Sequence, residues 1–144
     1  MHGRHSAETR LKDILHAFVQ VEGNEAMFMQ DQMDFTCGIV LQSSIQKRCF
    51  DEWGDCVVMD WTHGTNNLGF HMGSLLVTSP SGRGIPVLDF ISLDEKATTM
   101  TKILEFFKAK NSDWRGIKTF IIDKDYTEWR VLEQCFPDAT VLLC

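Results

Sequence analysis

Apolar residues along this chain switch between a helical and a strand-like spacing, and the switches mark its elements. Ala7, Leu11, Ile14, Leu15 and Phe18 fall on one face of a helix, which predicts an amphipathic helix over 6–19 that Gly23-Asn24 breaks. Two short apolar segments, 26–30 and 36–42, surround the polar Asp31-Gln32 and read as strands of a hairpin or lead-in. Ser43-Ser44 can cap a short helix reaching Phe50 or Trp53, with Gly54 ending it. Segments 56–60, 69–79 and 84–92 then read as three strands, the last two joined by the turn chemistry of Ser79-Pro80-Ser81-Gly82. Pro86 suits an edge or strand-opening position. Met100, Ile103, Leu104 and Phe107 give the stripe of a helix over 94–110, with Ser92 and Glu95 spaced as a capping box. A strand over 117–123, a helix from the capping pair Asp125 and Glu128 to Cys135, and a strand over 139–143 complete the chain.

The order of the main part is three strands, helix, strand, helix, strand. An antiparallel meander followed by right-handed βαβ units makes an α/β protein with a mixed sheet. That string fits the ribonuclease H-like fold, in which the first and fourth strands lie side by side at the sheet centre. Asp60 follows the apolar run Cys56-Val57-Val58-Met59, and Asp123 follows Phe120-Ile121-Ile122. Carboxylates at strand ends stand where open α/β sheets bind ligands. Two that converge offer the oxygen donors suited to Mg²⁺ or Mn²⁺, the arrangement used for in-line displacement at phosphate.

The residues themselves resemble a family. The runs VVMDWTHGTNN, SPSGRGIPV, FIIDKD and the terminal FPDATVLLC are similar to the catalytic core of Mutator-like transposases. The closer similarity is to the ribonuclease H-like domain of zinc-finger SWIM-domain proteins, which resemble domesticated transposases. It runs from about Thr36 to Cys144, so that 1–35 reads as an N-terminal helix and lead-in and 36–144 as the transposase-derived domain. The resemblance implies a DDE-type site in which Asp60 and Asp123 are the first two acidic metal ligands. The third acidic residue of that family lies on a later helix, beyond a Cys-x-x-His element whose cysteine Cys144 matches. This chain stops there, so that the histidine, the final helix and the third carboxylate are missing from it, as is the SWIM zinc motif. Part of one sheet face is then expected to stand open. The resemblance also places Trp61 beside the metal position and His63 within reach of a ligand or phosphate role, against the commoner use of such a histidine in a turn.

Composition narrows the possibilities. The 144 residues suit one domain with a real core. No apolar stretch is long enough for a membrane span and the start lacks a signal segment, which makes the expected location intracellular, and nuclear by the resemblance. A formal net charge of −6 disfavours autonomous nucleic-acid binding, because Lys and Arg on phosphates supply that affinity, and leaves DNA as a partner through a longer parent protein. Five cysteines with no CxxC pair argue for buried free thiols rather than disulfides or a local zinc site. No phosphate-loop, dinucleotide or serine-nucleophile motif occurs. The four tryptophans suit core-edge packing better than base stacking, and Asp89 suits an exposed strand position better than a supporting role at the site.

The expected function is therefore a transposase-derived ribonuclease H-like domain serving as a non-catalytic interaction or scaffolding module with protein partners. The alternative is the N-terminal part of a Mg²⁺-dependent DDE-type DNA strand transferase or nuclease.

Overall fold

The computed structural model describes residues 2–62, 70–123 and 126–143. Helix α1 (His2–Gln20) leads into strands β1 (Glu25–Gln30) and β2 (Thr36–Gln42), and helix α2 (Ser44–Trp53) follows. Strands β3 (Cys56–Thr62), β4 (His71–Thr78) and β5 (Gly84–Ser92) precede helix α3 (Ala97–Lys110). A 3-10 segment, Ser112–Gly116, leads to β6 (Thr119–Ile122), helix α4 (Tyr126–Cys135) and β7 (Thr140–Leu143).

All seven strands join one mixed sheet in the order β1-β2-β5-β4-β3-β6-β7. The meander β3-β4-β5 is antiparallel, β1 and β2 form an antiparallel hairpin, and β3-β6 and β6-β7 are parallel. The fold is thus the α/β, ribonuclease H-like mixed sheet expected from the element order, with the fourth strand of the main part beside its first.

Strand alternation sends successive side chains to opposite faces. One face is apolar and fully covered. Val40, Val57, Met59, Leu75, Phe90, Phe120, Ile122 and Val141 bury there with Met100, Ile103, Leu104 and Phe107 of α3 and Val131 and Leu132 of α4. Phe107 meets Phe50 of α2 edge-on at 4.8 Å between ring centres, so α2 closes the same core from the sheet end where β3 starts. In the same last turn of α3, Lys108 Nζ donates to the Cys135 carbonyl at 2.7 Å and lies 4.2 Å over the Trp114 ring, binding α3, α4 and the 3-10 segment together.

The opposite face is open. Ile39, Leu41, Val58, Leu76, Ile91 and Ile121 are only half-buried there, and Met72 and Leu142 are exposed.

Several boundaries moved for identifiable reasons. The cap of α2 is a complete capping box, with Ser43 Oγ accepting from the Gln46 amide and Gln46 Oε1 accepting from the Ser43 amide. The capping box expected from Ser92 and Glu95 does not form, and α3 starts at Ala97. Asp94 takes over instead, accepting the Lys96 amide and the Thr99 hydroxyl, while Ser92 Oγ donates to the Asp94 carbonyl. The pair Asp125 and Glu128 cannot be compared, because Asp125 lies outside the described residues. Pro86 stands in an interior strand, yet β2 pairs with β5 only from Asp89 onward, so β5 is locally an edge at Pro86. The Pro86 carbonyl is taken by Gln46 Nε2 at 3.2 Å, and a register shift opposite it absorbs the missing amide. Gly23 adopts φ of +86°, which only glycine takes freely, in the turn that brings Asn24 back to cap α1 through the Phe18 carbonyl.

Candidate functional site: a carboxylate row on the open face

Strand β3 runs two residues beyond the expected end, so Asp60 sits within it rather than at its terminus. The parallel register pairs Cys56 with Thr119, Val57 with Phe120 and Val58 with Ile121. Continued by two residues, it sets Asp60 level with Asp123, the first residue after β6. Adjacent strands lie about 4.8 Å apart and in-register residues share a face. Asp60 stands on the open face, Asp123 follows directly on the neighbouring strand, and both are exposed.

The row continues across the meander. Asp60 is opposite Ser74 on β4, Ser74 is opposite Asp89 on β5, and Asp89 is opposite Leu41 on β2. Ser74 Oγ donates to Asp89 Oδ1 at 2.7 Å, and Gln46 Nε2 donates to Asp89 Oδ2 at 2.8 Å. Asp89 is consequently half-buried and fixed by two neutral donors, a correction to its expected exposed position. Those donors order the carboxylate without neutralising its charge.

Trp61 also departs from expectation. Alternation sends it to the covered face, where it is 7% exposed and meets Phe90 edge-on at 4.9 Å. It does not stand beside the carboxylates. Gly73, its cross-strand partner, makes room for this packing, since a Cβ there would collide with the Phe90 ring. The other tryptophans, Trp53, Trp114 and Trp129, pack partly buried against the core, as their amphipathic character suggests. His63 and Cys144, the two auxiliary candidates, lie outside the described residues.

Two exposed carboxylates in register can supply oxygen ligands to Mg²⁺ or Mn²⁺, with water filling the remaining positions. Among the described residues, no group of three His, Cys, Asp or Glu side chains is placed to hold a metal ion. The open face bears no base: among the described open-face positions of β2 to β7, none is Lys, Arg or His.

Sequence reasoning missed the Gln46–Asp89–Ser74 chain. Its signal was present in the period-two placement of Ser74 and Asp89 within otherwise apolar strands. It also missed His71, whose Nδ1 lies 2.7 Å from Glu95 Oε2 and ties the start of β4 to the loop before α3.

The mixed sheet, the central parallel pair carrying Asp60 and Asp123, and the helices packed on one face define a ribonuclease H-like domain. Over residues 16–142 the chain matches the family model described as the RNaseH-like domain of zinc finger SWIM domain-containing protein 1/3, and it belongs to that family. No helix among the described residues is long and apolar enough to cross a membrane.

Proposed function

We propose that this domain is a protein-interaction or scaffolding module that keeps the placement of a transposase-type carboxylate pair without its chemistry. The observation that carries this reading is the character of the open face. A surface that handles nucleic acid needs Lys or Arg to neutralise phosphates. The face bearing Asp60, Asp89 and Asp123 has none at its described strand positions, and the chain as a whole has a net charge of −6. Half-buried aliphatic side chains and fixed carboxylates suit a protein surface instead. In this reading any DNA contact and the nuclear setting come from a longer parent protein, and the Mutator-like ancestry accounts for the aspartates.

The second reading is supported by the Asp60–Asp123 register. In it the chain is the N-terminal part of a Mg²⁺-dependent strand transferase or nuclease. Asp60 and Asp123 would hold the cation, which supplies charge stabilisation and activates the attacking oxygen.

Fluorescence anisotropy with labelled single-stranded and duplex oligonucleotides, in Mg²⁺ at physiological salt, separates the two. The interaction module gives no saturable binding. Saturable binding that Asp60→Asn alters would favour the second reading.

A further inference from the structure

The open sheet face is not flat. A shallow cavity of about 180 Å³ is sunk into it, bordered by Ile39 and Leu41 of β2, Met72 of β4 and Ile91 of β5, with Ser74 and Asp89 as the polar side chains of its wall. Strand register explains this mixture. Asp89 pairs with Ser74 on one side and with Leu41 on the other, so a single carboxylate stands within an aliphatic ring. It is held in place, because Ser74 Oγ donates to one oxygen at 2.7 Å and Gln46 Nε2 to the other at 2.8 Å. Both donors are neutral, and a carboxylate keeps acceptor capacity beyond one bond to each oxygen. The ion pairs among the described residues use Glu25, Glu95 and Glu105, and Asp89 belongs to none of them. Asp60, opposite Ser74 on β3, adds a second negative charge nearby. Helix α1 packs against the edge strand β1 and contributes nothing to the cavity wall.

We infer that this cavity is a subsite for one long basic side chain, lysine or arginine, presented by a partner protein. The aliphatic stem lies among Ile39, Leu41, Met72 and Ile91, and the cationic head reaches Asp89. Both parts of such a side chain are matched. Long basic residues bury their methylene stems on apolar surface while the head keeps a polar partner. A fixed carboxylate without a counter-charge favours a cation, and the neighbouring Asp60 repels an acidic group. An uncharged aliphatic side chain would cover Asp89 without pairing it, and burying an unpaired charge is costly. The size agrees as well: 180 Å³ lies below the roughly 300–1,000 Å³ of pockets for drug-sized ligands and suits a single side chain. This inference rests on the interaction-module reading and names the chemistry of its partner at one point. The two can fail separately, because the oligonucleotide experiment reads nucleic-acid binding and the one below reads only the cavity.

The test is an NMR titration of the full chain with the N-acetyl N-methylamide derivatives of lysine and of arginine. It is followed at the Ser74, Asp89 and Ile91 amides and the Met72 methyl. Saturable shifts at these positions are expected, with a dissociation constant of about 1 mM, the strength that ordinary ligand efficiency gives a probe this small. Binding of either charged probe supports the inference, and their ratio tells which head the cavity prefers. Acetylating the lysine side chain of the probe keeps the stem and removes the charge, and is expected to weaken binding about tenfold or more. That comparison needs no variant of the protein. Asp89→Asn is expected to weaken the charged probes to the same degree, and Asp60→Asn, one strand further away, to weaken them less. Raising NaCl from about 0.05 to 0.5 M weakens the charged probes and leaves the acetylated one unchanged. Arg10→Gln/Lys12→Gln removes bases of α1 and is expected to leave the titration as it is. No saturable shift up to about 50 mM probe overturns the inference. So does an acetylated probe that binds as tightly as the charged one, or binding indifferent to Asp89→Asn. Tighter binding in the Arg10→Gln/Lys12→Gln variant also overturns it, since the chain's own helix would then be the occupant.

Discussion

Asp60 lies two residues past Val58 on β3 and Asp123 two residues past Ile121, and Val58 and Ile121 pair in the parallel register of β3 and β6, on a sheet face whose described strand positions include no base. The pairing is a consequence of strand order. β6 joins the sheet beside β3, and the common register brings two sequence-distant carboxylates to one place. The surroundings are apolar side chains and a third carboxylate, Asp89, held by Ser74 and Gln46. The contrast between this pair and its acidic, apolar setting is the basis of the functional reading.

A buried amide pair ties the hairpin to α3. Gln42 and Asn111 exchange two hydrogen bonds at 3.0 Å, while Gln42 Nε2 also reaches the Val87 carbonyl and Asn111 Nδ2 the Phe107 carbonyl. Asn111→Ala takes the partner from the buried Gln42 Oε1 and leaves Nε2 only the Val87 carbonyl. Leaving such a group unsatisfied costs about 1–3 kcal/mol. Urea unfolding is expected to show a lower midpoint with an unchanged slope, and a loss within about 0.3 kcal/mol would contradict the role assigned to the pair.

Acid sensitivity should centre on Asp94. Burial disfavours its charge, and this largest influence is outweighed by the Thr99 hydroxyl, the Lys96 amide and the charges of Lys96 and His71, so the pKa falls below its ordinary value. A depressed folded value means a contribution fully present above the unfolded pKa and lost as pH falls through the folded one. Thr99→Val removes the leading donor. The variant is expected to be less stable than wild type at pH 7, with the gap closing as pH falls through the lowered folded value and both chains become protonated. Urea midpoints measured across that range provide the check, and a gap that is constant with pH would contradict it.

Cys135 should resist alkylation. Burial, reinforced by Glu105 and opposed by Lys108, pushes its thiol up to about 11. At pH 8 only about one molecule in a thousand then carries the reactive thiolate. Peptide mass spectrometry after iodoacetamide treatment is expected to find Cys135 modified later than Cys37 and Cys49, and only once the chain is unfolded. Early labelling of the native protein would refute this.

Much of the architecture was legible because the apolar periods are clean. The stripe Met100-Ile103-Leu104-Phe107 and the runs at 56–60 and 117–123 fix α3 and the central pair, and the order of elements fixes their neighbours. Helix starts were less legible, because Asp94 and Ser92 each offer a cap and only the competition between Lys96, Thr99 and Glu95 decides which is used. Trp61 was misplaced because the end of β3 could not be read from the sequence. Two more strand residues turn the indole into the core rather than toward the carboxylates. Asp89 was undervalued because its partners, Ser74 and Gln46, come from a neighbouring strand and a helix that only the fold brings to it.

The most direct measurement is Mn²⁺-dependent cleavage of a labelled oligonucleotide by the purified chain, run beside Asp60→Asn/Asp123→Asn. Mn²⁺ is a hard, oxygen-preferring cation to which a pair of carboxylates is well matched. The interaction module predicts no cleavage beyond that of the double variant. Cleavage that the double substitution abolishes would show that the aspartates still perform chemistry and would contradict the account.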